Sequence, residues 1–351
     1  MFKGNYKEVK KLVKIALEEN ISVLVLGHPG VGKSTMAREL ASEFGLPLIE
    51  KRLAHTDPSE LVGIQVPTRD GKLTTLAPDW VPCDKPAFLF FDEINAGVTK
   101  LHQAAAYQIL LDRAAGSVKF HPDTKIMAAG NLEEDNAIVV PLSSALNNRV
   151  VHFILEPDVD TWLEWAEKAG ISAEMRGYIA FRGIKGLYNN TGAPAFPTPR
   201  SIEMADRLYR KAKERGMKME TIKYLVQSAI GEGDAVQFKA FVETYMTIDF
   251  KEVLTTGNIP SQERSFIYAL TYGLSSYLKE KLRPKELTAK YKEGFLRFMK
   301  NISHEFLVIF LREIRSKKQV LSEVITIISS DSEMRQTIER LTQDALFFEE
   351  S

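Results

Sequence analysis

Cysteine is almost missing from this sequence: Cys83 is the only one in 351 residues. A lone thiol excludes an intramolecular disulfide and a thiolate metal cage, and it fits a reducing compartment. Histidine is scarce too, with six residues. His121 and His304 stand isolated, and no histidine–cysteine grouping has metal-ligand spacing. Long apolar runs are also lacking. Phe306–Leu311 is far too short to span a bilayer and reads as part of a core helix, so no membrane association is expected. No secretory leader is expected ahead of the first strand, and a cytoplasmic protein is predicted. Neither sign of charge prevails, since 46 Lys and Arg meet 46 Asp and Glu. Bulk charge therefore gives no general argument for nucleic acid, although a neutral chain can carry a local basic path.

What is present is a phosphate-binding pattern. Gly27-His28-Pro29-Gly30-Val31-Gly32-Lys33-Ser34-Thr35 fits G-x-x-x-x-G-K-[ST] at every position. Ile21–Leu26 ahead of it reads as a buried strand, and Met36–Phe44 after it as a helix. The glycines let the backbone curl so that successive N–H groups point at the β- and γ-phosphates. Lys33 adds positive charge, Ser34 offers a hydroxyl to Mg²⁺, and the positive helix end faces the anion. All nine residues are assigned to binding a nucleoside triphosphate. Downstream, the apolar strand Phe88–Phe91 ends in Asp92 and Glu93. Strand ends of a parallel sheet collect ligands. Asp92 is therefore expected to share Mg²⁺ with Ser34, and Glu93 to orient and deprotonate the attacking water.

Four further segments follow in a fixed order. Asp92-Glu93 continues into Ile94-Asn95, and Met127-Ala128-Ala129-Gly130 is an apolar strand ending at the polar Asn131. Leu142 to Val150 places Arg149 just before the strand Val150–Leu155, and Pro197-Thr198-Pro199-Arg200-Ser201 reads as a helix start with Thr198 as cap. Asp57 caps a helix that breaks at Gly63. Ile64–Thr68 and Lys72–Leu76 then flank Arg69-Asp70-Gly71, an Asp-Gly hairpin signal, and a second hairpin is expected around Ala114–Pro122.

This order resembles AAA+ ATPases, and more narrowly the MoxR-like group, in which a hairpin interrupts the second helix. The resemblance covers about residues 15–250 and implies ATP and Mg²⁺ as cofactors. It makes Asn131 the sensor-1 residue, on the γ-phosphate or the attacking water. It makes Arg149 an arginine finger that reaches a neighbouring subunit's nucleotide, and Arg200 the sensor-2 arginine, acting on its own or the adjacent subunit. It implies a homo-oligomer, a hexameric ring, with both hairpins directed at the substrate. MoxR-like proteins commonly work with a partner carrying a von Willebrand factor A domain. The reading is of a remodelling ATPase; the alternative is a nucleic-acid motor or nuclease-associated translocase.

The fold expected is α/β, a doubly wound parallel-sheet P-loop core at residues 1–155. A helical lid at 156–250 follows the hinge Glu156-Pro157-Asp158, and a helical extension occupies 251–351. Tyr6, Val9, Val13, Ala16 and Leu17 have helical spacing and are expected to pack on the sheet with the neighbouring lysines in solvent. Asn258–Ser261 is expected to open one helix, Phe295–Ile309 to lie in another, and Leu321–Ile328 in a third. Their apolar faces read as core. Leu341, Leu346, Phe347 and Phe348 are left without an assignment.

Overall fold

The computed structural model describes residues 1–95, 99–132, 150–283, 285–337 and 339–340. The chain falls into two compact units. One comprises residues 1–162 with 190–193 and 198–201; the other comprises 163–189, 194–197 and the chain from 202 onward.

The first unit opens with β1 (Phe2–Gly4), α1 (Tyr6–Glu18), β2 (Val23–Gly27), α2 (Lys33–Glu43) and β3 (Leu48–Arg52). A short α3 (Pro58–Val62) leads into a hairpin of β4 (Ile64–Pro67) and β5 (Leu73–Leu76). Then come β6 (Phe88–Asp92), α4 (Lys100–Tyr107), a small hairpin of β7 (Ala114–Ala115) and β8 (Val118–Lys119), β9 (Lys125–Gly130) and β10 (Val151–Leu155). Six strands make one parallel sheet in the order β1-β10-β2-β9-β6-β3. This is the doubly wound α/β core that the alternation of strands and helices predicts. The strands are apolar at successive positions because both sheet faces are covered. Val23, Val25, Phe88, Phe90, Met127 and Ala129 pack beneath α1 and α2. Leu24, Leu89, Phe91, Ile126 and Ala128 face the opposite core with Trp80, Ile109 and Phe120.

Asn5 caps α1 through its side chain, and Glu8 returns a carboxylate to the Asn5 N–H, closing a capping box. Val9, Val13, Ala16 and Leu17 are buried as expected. Two lysines of the opposite face do more than solvate: Lys10 pairs with Glu39 and Glu43, and Lys14 with Glu43 at 2.8 Å, joining α1 to α2. β2 begins two residues later than the apolar run suggests, and α2 begins three residues earlier. Gly32 sits at φ 105° as the N-cap, so the helix starts inside the glycine loop. β1 and β3 carry no strand signal that stands out. β1 has three residues, and β3 (Leu-Ile-Glu-Lys-Arg) is only partly buried.

The second unit is helical. α5 (Val159–Lys168), whose residues 159–162 count with the first unit, is followed by α6 (Ala173–Arg182), α7 (Ile184–Leu187), an irregular segment at 188–198, α8 (Pro199–Glu214, of which 199–201 count with the first unit), α9 (Met219–Ile230), α10 (Glu232–Met246) and α11 (Phe250–Thr256). Then come α12 (Arg264–Glu280), α13 (Glu286–Lys290), α14 (Lys292–Asn301), α15 (His304–Ile314) and α16 (Lys318–Ser329). α12 is buried nearly all round and packs on α6, α10 and α15; such a helix belongs in the middle of a core. Aromatic edges fill the spaces around it, with Tyr209–Phe238 centroids at 5.1 Å and Tyr268–Phe306 at 4.8 Å. A buried ion pair, Arg176 to Glu313 at 2.7 Å, ties α6 to α15.

Two helix expectations need correction. The helix expected to open at Asn258 begins at Arg264, because 258–263 lie in irregular backbone around Pro260. The set from Phe295 to Ile309 is not one helix. Extended backbone at Ile302 (φ −83°, ψ 145°) separates α14 from α15, and the two helices bring Phe295, Phe298 and Phe310 together at centroid distances of 5.8–6.2 Å. Leu341, Leu346, Phe347 and Phe348 lie outside the described residues.

Candidate functional site

The loop from Gly27 to Gly32 joins the carboxyl end of β2 to α2. Gly30 and Gly32 have φ of 79° and 105°, values that an L side chain rarely adopts. Lys33 is 7% exposed. Its ammonium donates to the carbonyls of Gly27 (2.5 Å) and His28 (2.9 Å) and to Asn131 Oδ1 at 3.2 Å. Three oxygens thus hold a partly desolvated cation at the loop and beside the end of β9.

The second half of the site hangs on β6. Ser34 Oγ donates to Asp92 Oδ2 at 2.9 Å, and the Glu93 N–H donates to Asp92 Oδ1 at 2.9 Å. Glu93 has φ 57°, uncommon for a non-glycine residue and costing of order 1–3 kcal/mol. That turn leaves its carboxylate about one-third exposed, with His55 Nε2 at 3.9 Å. β6 and β9 are neighbours in the sheet, so Asp92, Glu93 and Asn131 emerge side by side.

Sequence reasoning gives Asn95 no role, yet it fixes Asn131. Asn95 is 4% exposed. Its Nδ2 donates to the Asn131 carbonyl at 2.9 Å, and its Oδ1 accepts the Asn131 N–H at 3.0 Å. The Ile94 N–H adds a bond to the Ala129 carbonyl at 2.9 Å. These bonds lace the segment after β6 to the end of β9. The polar residue two positions beyond Glu93 is the only sequence signal of this tie.

Thr198 and Arg200 also reach the glycine loop. Thr198 Oγ1 and Arg200 Cβ stand 3.1 and 3.3 Å from where a Cβ on Gly30 would be. Thr198 Oγ1 accepts the Ser201 N–H at 3.0 Å while Ser201 Oγ accepts the Thr198 N–H at 2.8 Å, a reciprocal cap for α8. The Arg200 side chain is exposed. Arg149 lies outside the described residues. Tyr6, on α1, lies against Gly32, with Cε2 3.2 Å from a Cβ position there. Burial and then the Glu39 carboxylate push its hydroxyl pKa well above the ordinary range.

Both expected hairpins are present. β4 and β5 pair antiparallel, Ile64 opposite Leu76 and Pro67 opposite Leu73, with Gly71 in the turn. Ile64, Leu73 and Leu76 are 52, 67 and 60% exposed, so this hairpin presents apolar side chains outward. The β7–β8 turn meets its base. A Cβ on Gly116 would stand 2.5 Å from the Val62 carbonyl oxygen and 2.6 Å from Thr75 Cγ2.

The residues fit a magnesium-bound nucleoside triphosphate. The glycine loop can offer N–H groups at the start of α2, Lys33 a cation, and Ser34 with Asp92 a hydroxyl–carboxylate pair suited to Mg²⁺. Elsewhere among the described residues, no group of three His, Cys, Asp or Glu is arranged to hold a metal. No helix among them is long and apolar enough to cross a membrane.

Residues 23–154 match the model of the ATPase family associated with various cellular activities (AAA). That segment, β2 to β10, is an AAA domain and contains the glycine loop, Asp92, Glu93 and Asn131. No curated protein matches the chain. Among solved structures the chain is similar to NtrX from Brucella abortus, at 13% identity over 95% of this chain and 67% of that one, with a TM-score of 0.34. It is similar to the Thermotoga maritima RuvB Holliday junction branch migration motor at 16% identity, over 84% of this chain and 88% of that one, also with a TM-score of 0.34. Likeness at this level says nothing of activity.

Proposed function

We propose that the AAA domain hydrolyses ATP, and that the chain acts as a hexameric ring coupling this turnover to the remodelling or activation of a partner protein. One observation carries the hydrolase reading. Ser34 is tied to Asp92 at 2.9 Å at the end of β6, where Glu93 follows Asp92, and Asn131 follows the adjoining β9.

In this reading the backbone N–H groups of Gly27–Thr35, Pro29 excepted, and the Lys33 ammonium bind the phosphates. Ser34 and Asp92 would hold Mg²⁺, which supplies charge neutralisation at the transferring phosphoryl group. Glu93 takes a proton from water, and Asn131 orients that water or the γ-phosphate. Arg149 from a neighbouring subunit spreads positive charge over the phosphoryl oxygens, so hydrolysis requires assembly. Arg200, at the start of α8, couples the same phosphates to lid movement. The outward apolar residues Ile64, Leu73 and Leu76 supply the surface that grips a substrate polypeptide. A von Willebrand factor A domain protein is the partner class that the MoxR-like resemblance supports.

Glu93→Gln is the test. It is expected to bind ATP while turnover falls by roughly 10²–10⁴-fold. Recovered from its native cell with ATP, the trapped assembly should carry a stoichiometric partner protein. Unchanged turnover would sink the hydrolase reading. Hydrolysis stimulated by nucleic acid, with no protein partner recovered, would replace remodelling by a nucleic-acid motor.

A further inference from the structure

The second unit carries a concentration of positive charge that the ATPase reading does not use. From Lys279 to Lys318 twelve Lys or Arg face five Glu, in a chain whose total is balanced. The fold gathers the ends of this stretch. The carboxyl end of α12, α13 and the turn between α15 and α16 enclose a cleft of ≈ 200 Å³. Leu278, Leu282, Leu287 and Val320 line it, with Arg283 and Lys317 among its walls. Lys281 and Lys285 flank Arg283, and Arg315 and Lys318 flank Lys317; all six side chains are on exposed residues.

The cations here differ in how they are held. Lys279 is committed to the fold, donating to Glu167 Oε1 at 2.8 Å and to the Glu313 carbonyl at 2.7 Å. Among the described residues, Lys281, Arg283, Lys285, Arg315, Lys317 and Lys318 make no ion pair. The nearby carboxylates are engaged by uncharged donors. Glu323 accepts the Lys285 and Thr288 N–H groups, Glu286 the Arg283 N–H, and Glu280 the Ser276 hydroxyl. These three carboxylates keep their charge, with Glu280 and Glu323 in the cleft wall, so six cations stand against three and the rims stay net positive.

We infer that this cleft and its rims bind the phosphate backbone of a nucleic acid. Separate single-charge contacts on two turns match a polymer that carries one charge per nucleotide. A membrane-docking face pairs its cations with exposed apolar side chains. Among the described residues, no exposed large apolar residue lies between 278 and 290 or between 315 and 323; Val308 and Ile325 are the nearest in sequence. A folded acidic partner would want exposed apolar anchors, whereas Leu278 and Leu287 of the cleft are buried and Leu282 and Val320 half-buried. The inference does not rest on the remodelling reading, since the cations belong to the second unit and none is in the nucleotide site.

Fluorescence anisotropy of the full chain with a labelled 20-base-pair DNA duplex and with its single strand tests it. Six phosphate contacts give duplex binding a log–log salt slope of about −5.4, a loss of roughly 2,000-fold between 50 and 200 mM salt. The combined variant Arg283→Glu, Lys317→Glu, Lys318→Glu is expected to lose at least tenfold in affinity while its ATP hydrolysis stays unchanged. A neutral pair, Lys281→Gln with Arg315→Gln, should lower the slope by about 1.8 and guards against misfolding of the first variant. Absence of binding by either nucleic acid at 50 mM salt overturns the inference. So does an unchanged slope in both variants, or binding confined to phosphatidylserine vesicles or poly-glutamate. Loss of hydrolysis in Glu93→Gln bears on the nucleotide site alone.

Discussion

Asn95 gives the sharpest test of how the nucleotide site is held together. Its side chain makes two hydrogen bonds, of 2.9 and 3.0 Å, to the carbonyl and N–H of Asn131. Asn95→Ala removes both partners and leaves two backbone groups, in a region where Asn95 itself is 4% exposed. Each buried group left unpaired costs about 1–3 kcal/mol, so the local loss is about 2–6 kcal/mol. The loss falls on the end of β9, where hydrogen exchange at Ala128 to Asn131 should accelerate by at least tenfold. Asn131 Oδ1 would also leave the Lys33 ammonium, which it meets at 3.2 Å. A displacement of about 1 Å at such a site costs on the order of 10² in turnover. The expected result is roughly hundredfold slower hydrolysis with ATP affinity little changed. Asn95→Asp keeps the acceptor for the Asn131 N–H but sets a carboxylate against the Asn131 carbonyl, so it should slow hydrolysis at least as much as Asn95→Ala. Wild-type exchange at β9 in Asn95→Ala, or wild-type turnover with altered exchange, would refute the reasoning.

Other outcomes follow from single contacts. Gly116→Ala puts a Cβ against the Val62 oxygen at a φ of 58°, so the hairpin pair should lose about 2 kcal/mol, read as faster proteolysis within residues 62–76 with turnover retained until the hairpins are loaded. Arg176→Met strands a buried Glu313 and should cost about 3–5 kcal/mol, whereas Arg176→Met with Glu313→Leu should recover most of it; equal losses in a urea titration would mean that the pair is not what α6 and α15 depend on. Burial raises the Glu167 carboxyl pKa, but bonds from Lys279 and Ser316 outweigh it and hold the group below its ordinary 4.5. A depressed carboxylate adds stability above its unfolded value and loses it as pH falls through the folded one, so Glu167→Gln should flatten the acid limb of stability below about pH 4.5.

The parts of this molecule that are legible in the sequence are those whose cause is local. Gly27–Thr35 carries its own turn and helix start, and Asp92-Glu93 follows directly on the strand Phe88–Phe91. The β4–β5 hairpin announces itself through Asp70-Gly71, and the cap at Thr198 sits next to Pro199. Alternation of apolar strands and amphipathic helices gives the doubly wound core for the same reason. Where an element has little pattern of its own, as β3 with its charged Glu50, Lys51 and Arg52, only the neighbouring β6 makes it a strand. The break at Ile302 is likewise silent, since Phe295 to Ile309 keeps a helical apolar spacing through it. The packing of Phe310 between Phe295 and Phe298 is what turns the chain there.

The unread half of the nucleotide site has a common physical character. Asn95 and Asn131 are 36 residues apart, and they meet because β6 pairs with β9 in one register, Phe91 opposite Ala128. A slip of that register would separate the amide pair and carry Asn131 Oδ1 away from Lys33, although every motif in the sequence would be intact. Gly116 and Thr75 meet in the same way, through packing that neither hairpin encodes alone. The residues that would perform the chemistry are therefore motif residues, while those that hold them at hydrogen-bonding distance are set by the sheet. Exchanging Phe91 and Ala128 would probe this division. It keeps total side-chain volume but disturbs the β6–β9 seam, and it should disable the site while leaving every phosphate-binding and acidic residue in place.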